Sequence, residues 1–357
     1  MNKIRFIFII FTFFFVFSCN KYKITKYFNL SEHFAHYVDV ALDNNGNIYV
    51  AFKDFAHKHR FSVKKIDGDL VEYVGKPAFS DMDCLYNKII TVNDIPFVAY
   101  SDYSMINRLT VNRFINNQWE VVGTKGISDY IAENIDIACD KNSNIYVVYS
   151  EKNSLFFKVF KENKWNIVYQ YTCSNGTFET LTSSIKLVID SNNNPIIFYP
   201  DPDNNFYPTL ILNILTNPQK IVLSNKISKK PAITIDKNDN IYILICEEEN
   251  DTQKTMIYKI YNDKITAKYN FNGYSTDYAI CMTKDNRLII AYQNSIKNNT
   301  LSVTSFYDGK FSLIKDNLSK DFVRSIDCDA KNNQIVIAFQ DNAANDKAGV
   351  ILLDENL

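Results

Sequence analysis

Seven copies of one all-β unit, each with four short strands, and a first strand that supplies what the last copy lacks, predict sheets arranged in a closed ring. Repetition is the first observation. Segments 38–54, 85–102, 135–151, 185–201, 232–248, 278–294 and 325–341 each run from an alternating strand through an Asn/Asp-rich turn into an apolar strand. Each ends on an aromatic or aliphatic residue followed two places later by an acid or Asn. These register residues are Asp54, Asp102, Glu151, Asp201, Glu247, Asn294 and Asp341, spaced 48, 49, 50, 46, 47 and 47 apart. A period of that length means one supersecondary unit used repeatedly.

Strand content is the second observation. In the first unit, strands are expected at 38–43, 47–53, 61–66 and 69–74, and later units repeat the outer pair, as in LTVNRF (109–114) with WEVVG (119–123). Four strands of period-2 alternation cannot bury both faces alone, so each unit must stack on the next. Such units are the blades of a seven-bladed β-propeller.

Closure is the third. The seventh unit has GVILLD (349–354) as its third strand, and the chain ends at Leu357 without a fourth. Residues 23–29, KITKYFN, resemble the fourth strand of the fifth unit, KITAKYNFN (264–272). The N-terminal strand is therefore expected to complete blade seven, removing the open sheet edges. A single domain over 20–357, monomeric, fits a chain of 357 residues with no Pro/Gly/Ser linker and no charge block.

Charge excludes one class of partner. With 39 Lys and Arg against 40 Asp and Glu, interleaved, the chain has no basic patch for phosphate neutralisation, so nucleic acid is not an expected partner.

Residues 1–19 read as an export signal. Lys3 and Arg5 precede an apolar run from Phe6 to Phe17, too short to span a bilayer, and then Ser18 and Cys19. Val16-Phe17-Ser18-Cys19 resembles a bacterial lipobox, which implies acylation of Cys19, a palmitate-type anchor, and attachment to the bacterial cell envelope at the outer membrane or cell surface. Only Asn20, Lys21 and Tyr22 separate that anchor from the first strand, about 10 Å of extended chain. Strand alternation then turns the A-to-B turns toward the membrane. The D-to-A and B-to-C loops look outward, toward a protein or glycan ligand.

Six further cysteines, Cys84, Cys139, Cys173, Cys246, Cys281 and Cys328, raise the disulfide question in an exported chain. Most lie within strands. Cys281 and Cys328 align with Ala41, so free buried thiols acting as small apolar fillers are expected.

Two clusters are candidate sites. Asp54, Asp102, Glu151, Asp201, Glu247 and Asp341, with Asn294, form either a negative rim that binds a cationic partner or glycan hydroxyls, or a set of caps on their own loops. All four histidines, His33, His36, His57 and His59, fall in blade one on loops of the same face, where a transition metal could bind if they converge. The turns DNNGN, DKNSN, DSNNN and DKNDN lack the Gly and the bidentate Glu of an EF-hand calcium loop, so hairpin chemistry explains them. Trp119 and Trp165 occupy equivalent places where inter-blade packing is expected. Tyr100, Tyr149, Tyr199 and Tyr292 share the slot of Phe52 and Phe339 in the blade core.

Asp43, Gly46, Asn47, Ile48, Tyr49, Val50 and Ala51 resemble the phrase that opens each NHL-type propeller repeat. The chain also resembles bacterial surface lipoproteins whose blades read Tyr-Val-Ala-Tyr-x-Asp and then Trp-x-x-Val-Gly, as in 97–102 and 119–123. Both resemblances imply a propeller. No Asp-box, no arginine triad among Arg60, Arg108, Arg113, Arg287 and Arg324, and no Gly-x-Ser-x-Gly elbow is recognisable. A binding or scaffold module without a cofactor is therefore expected before the alternative, a sialidase-like or metal-dependent envelope hydrolase acting on glycans.

Overall fold

The computed structural model describes residues 22–174, 176–178, 185–249, 252–273, 275 and 277–355. The export signal and Cys19 lie outside them. Among the described residues, no helix is long and apolar enough to cross a membrane.

Seven four-stranded antiparallel sheets form the blades of a β-propeller. Blade one has strands A to D at Ala35–Leu42, Ile48–Asp54, Arg60–Asp67 and Leu70–Tyr73, counted outward from the axis. The inner strands of blades two to six are Cys84–Val92, Glu133–Cys139, Lys186–Ile189, Ile227–Ile235 and Tyr278–Met282. Blade seven takes Val323–Lys331, Gln334–Asp341 and Lys347–Glu355 from the C-terminus and Tyr22–Asn29 from the N-terminus, as the repeat pattern requires.

The closing strand is anchored by more than its ladder. The Tyr27 hydroxyl donates to Asp341 Oδ2 at 2.6 Å, the Leu30 amide donates to the Ala348 carbonyl at 2.8 Å, and Ala348 N donates to Ser31 Oγ at 2.9 Å. Tyr22 and Leu30 are buried, Leu30 in the layer between blades seven and one. Apolar layers of this kind separate neighbouring blades around the ring, which explains why strand B is buried on both faces.

The aromatic slot lies in these layers, with Phe52, Tyr100, Tyr149, Tyr199, Tyr292 and Phe339 all buried. Trp119 and Trp165 are inter-blade staples. Their indole N–H groups donate to the Val74 and Val122 carbonyls of the preceding blade, each at 2.8 Å. The Gly of the Trp-x-x-Val-Gly phrase follows from that contact. Gly123 has φ +78°, and a Cβ there would stand 3.1 Å from the Trp165 ring.

The Asp-rich turns hold the opposite face together. Asp43, Asp140, Asp190 and Asp236 each accept the amides two and four residues on and bond the Asn that follows. Adjacent turns are also linked: Asn44 N donates to Asp94 Oδ1, Lys141 N to Asn193 Oδ1 and Ser191 N to Asp239 Oδ1. Carboxylates occupied in this way account for the Asn/Asp enrichment without a bound ion.

The six described cysteines are free thiols, all buried except the half-buried Cys139. One alignment shifts. Blade seven makes its A-to-B hairpin with a two-residue turn, so Cys328 pairs with Ile337 and takes the structural place of Val40, while Cys281 keeps that of Ala41. A one-residue slip changes the face. Both thiols therefore enter the layer between blades six and seven, and burial together with the neighbouring Cys281 thiol raises Cys328 well above its usual range.

Candidate functional site

The register residues cap their own loops. In blades one, two, four, six and seven, strand B is followed by one 3₁₀ turn and a left-handed residue. Asp54, Asp102, Asp201, Asn294 and Asp341 accept the amide two residues on. Blade three closes B to C with a tight hairpin instead, in blade five the paired strands run on to Glu249 and resume at Thr252, and these two blades carry the longer Glu. Glu151 reaches the amides of Asp129 and Tyr130 at 3.0 Å, and Glu247 accepts the Tyr258 hydroxyl. These side chains are nearly all occluded, Asp54 being 1% exposed, and Asp54 and Asp201 are heavily bonded. Asp54 accepts Ser62 Oγ and meets His57 Nδ1 at 2.9 Å, while Asp201 accepts Tyr171 and Lys220.

The histidines are not brought together. His57 sits on Asp54, His36 and His59 flank the Phe55 ring at 4.9 and 4.2 Å, and His33 offers its carbonyl to Ser31. Burial, followed by nearby Lys53, pushes the His36 imidazole below its usual range. Among the described residues, no three His, Cys, Asp or Glu side chains form a metal-binding group.

A different feature converges. In five blades, strand A carries a register shift near its start. Each shift coincides with a residue in the left-handed region: Tyr37, Tyr86, Asn134, Lys230 and Ser325, with φ between 46° and 52°. Non-glycine residues there are strained, and strain repeated at one place in five blades marks a position that the fold over-determines. All five line one cavity of about 270 Å³ at the mouth of the central channel, on the D-to-A face. The Tyr37 and Tyr86 rings stand side by side, 5.7 Å between centroids.

Below the mouth, strand A lines a channel of about 560 Å³. Its second tier is Asp39, Lys88, Asp136, Lys186, Ala232, Ala279 and Asp327, by their ladder partners in strand B. The aspartates latch neighbouring blades. Asp39 accepts Ile89 N, Asp136 accepts Leu187 N and Asp327 accepts Val40 N. Lys88 pairs with Asp39 and lies 3.8 Å from Asp327. Burial pulls the Lys88 ammonium down, but Asp327, Asp39 and Asp136 together outweigh it and hold the group above its usual range. Burial and then Asp327 raise Asp39 well above a normal carboxylate. The Lys186 ammonium has no hydrogen bond or ion pair among the described residues; burial and the neighbouring Lys88 push it down against the pull of Asp136, Asp327 and Asp39.

No protein-family model matches the chain, and no curated protein matches its sequence. Solved structures match the fold. A protein of unknown function from Dyadobacter fermentans aligns at TM-score 0.54 and 10% identity over 94% of this chain and 99% of its own. The propeller of Dos1 aligns at TM-score 0.55 and 10% identity over 93% and 95%. A mutant of the Aleuria aurantia lectin, solved with Fucα1-6GlcNAc, aligns at TM-score 0.50 and 14% identity over 79% and 96%. At these identities the likeness is one of fold.

Proposed function

We propose that this chain is a lipid-anchored cell-envelope propeller that binds a glycan, its ligand seated at the channel mouth on the face turned away from the membrane. The convergence of Tyr37, Tyr86, Asn134, Lys230 and Ser325 on one strained rim carries the reading. Two adjacent phenol rings offer an apolar surface to the C–H face of a sugar, and Ser325 and Lys230 supply donors around it, while the Asn134 amide is turned to Ser150 and Phe178 and shapes the rim. A lectin solved with a fucosylated disaccharide among structures of like fold supports the ligand class. The anchor rests on residues 16–19, whose lipobox resemblance would set the first strand close to the bilayer. In this reading the register acids hold the B-to-C loops that frame the outward face, and binding requires neither a metal nor a covalent step.

A glycan array probed with the full chain and with the double variant Tyr37→Ala/Tyr86→Ala tests it. Selective binding by the parent that the variant loses, with unchanged melting, is the expected result. Absence of any glycan signal, or equal binding by the variant, overturns it.

A further inference from the structure

We propose that the ligand of the mouth carries a carboxylate, and that Lys186 receives this group inside the channel. The inference rests on the mouth being the ligand site and names the chemistry of what enters it.

Every carboxylate on the wall is already satisfied. Asp39, Asp136, Asp327, Asp329 and Asp277 each accept at least one backbone amide at 2.7–3.0 Å. The cations differ. Lys88 is held by Asp39, Lys230 lies 3.8 Å from Asp277, and Lys331 reaches the Leu42 carbonyl at 3.5 Å. Lys186 lines both mouth and channel, and its ammonium has no hydrogen-bonding partner among the described residues.

Asn87 makes a second, independent observation. It also lines the mouth, is only 6% exposed, and neither its amide nitrogen nor its oxygen has a hydrogen-bond partner. In the other six blades this place is apolar or aromatic: Val38, Ile135, Ile185, Pro231, Tyr278 and Ile326. A buried amide without a partner costs free energy unless something bonds it. Besides the hydroxyls of Tyr37, Tyr86 and Ser325 at the rim, the open hydrogen-bonding capacity is thus a full ammonium and one amide, in which donors outnumber acceptors. A group that brings negative charge and acceptor oxygens completes it. With the Tyr37 and Tyr86 rings above, the shape is that of an acidic sugar whose ring rests at the rim and whose carboxylate points down.

Three small probes titrated into the full chain test this: glucuronate, glucose and acetate, against the parent, Lys186→Met and Lys186→Arg. The expected outcome is glucuronate at least tenfold tighter than either glucose or acetate, that preference lost in Lys186→Met and partly restored in Lys186→Arg. Equal binding of glucuronate and glucose, or a Lys186→Met protein that keeps the preference, overturns the carboxylate while leaving the mouth reading intact if Tyr37→Ala/Tyr86→Ala still abolishes binding. Acetate as tight as glucuronate overturns the acidic sugar in favour of a free small carboxylate. No binding by any probe overturns the inference, and the mouth reading falls with it only if the glycan array is also silent.

Discussion

Deleting residues 22–30 should open the ring. The deletion removes the outer strand of blade seven and leaves Lys347–Glu355 as an unpaired edge. Burial of Tyr22 and Leu30 contributes roughly 1.5–3 kcal/mol each. The Tyr27 bond to the Asp341 carboxylate adds roughly 1.5–3 kcal/mol. The net gain of the ladder hydrogen bonds is offset by the backbone entropy lost in ordering the strand, so together they change the sum little. The loss is therefore roughly 5–9 kcal/mol, an upper estimate for burial but comparable with the whole stability of an ordinary domain. Urea unfolding followed by tryptophan fluorescence and by far-UV circular dichroism measures it. The truncated chain should lose a single coincident transition or unfold at much lower denaturant. A truncated protein that unfolds in one step within about 1 kcal/mol of the parent refutes the role of this strand in closure.

Asp201→Ala should cost roughly 2–4 kcal/mol in the same assay, because it strips a cap and leaves Tyr199 and Lys220 without their acceptor, Tyr171 keeping only Asp203. Lys186→Met should be more stable than the parent at neutral pH, since it removes a cation that burial and Lys88 disfavour on the wall. The sign with pH follows from the lowered ammonium: the penalty is fully present below the folded pKa and vanishes as pH rises to the unfolded value of 10.5, so the advantage of Lys186→Met should shrink on that rise. Melting curves from pH 7 to pH 10.5 decide it. The thiols should resist a disulfide reagent in the native state, Cys139 reacting first and Cys84 only on unfolding, because burial pushes the Cys84 thiol up to about 12. Rapid reaction of all six with the folded protein contradicts the packing.

What the sequence disclosed is what the blades share. The period, the four strands and the aromatic slot recur in every or nearly every copy, the tryptophans recur in two, and the closing strand at Tyr22–Asn29 fills the one gap the repetition leaves. The mouth was hidden for the opposite reason. Tyr37, Tyr86, Asn134, Lys230 and Ser325 share a backbone conformation but no residue type, and only Asn commonly signals a positive φ. The slip that faces Cys328 toward Cys281 depended on the length of one turn, which alignment to Ala41 absorbed unseen. The choice of Glu in blades three and five did carry a signal, the loss of the 3₁₀ turn, legible only beside the Asp of the other blades. The histidines clustered in sequence build no metal-binding group among the described residues because His36 and His59 pack on the Phe55 ring while His57 turns to Asp54.

Hydrogen exchange of the protein with and without the best-bound glycan reports most directly on where the ligand sits. Slowed exchange at the amides around Tyr37, Tyr86, Asn134, Lys230 and Ser325, with the A-to-B turns unchanged, is the result expected of a ligand at the channel mouth. Protection confined to the turns at Asp43, Asp140, Asp190 and Asp236 would contradict it.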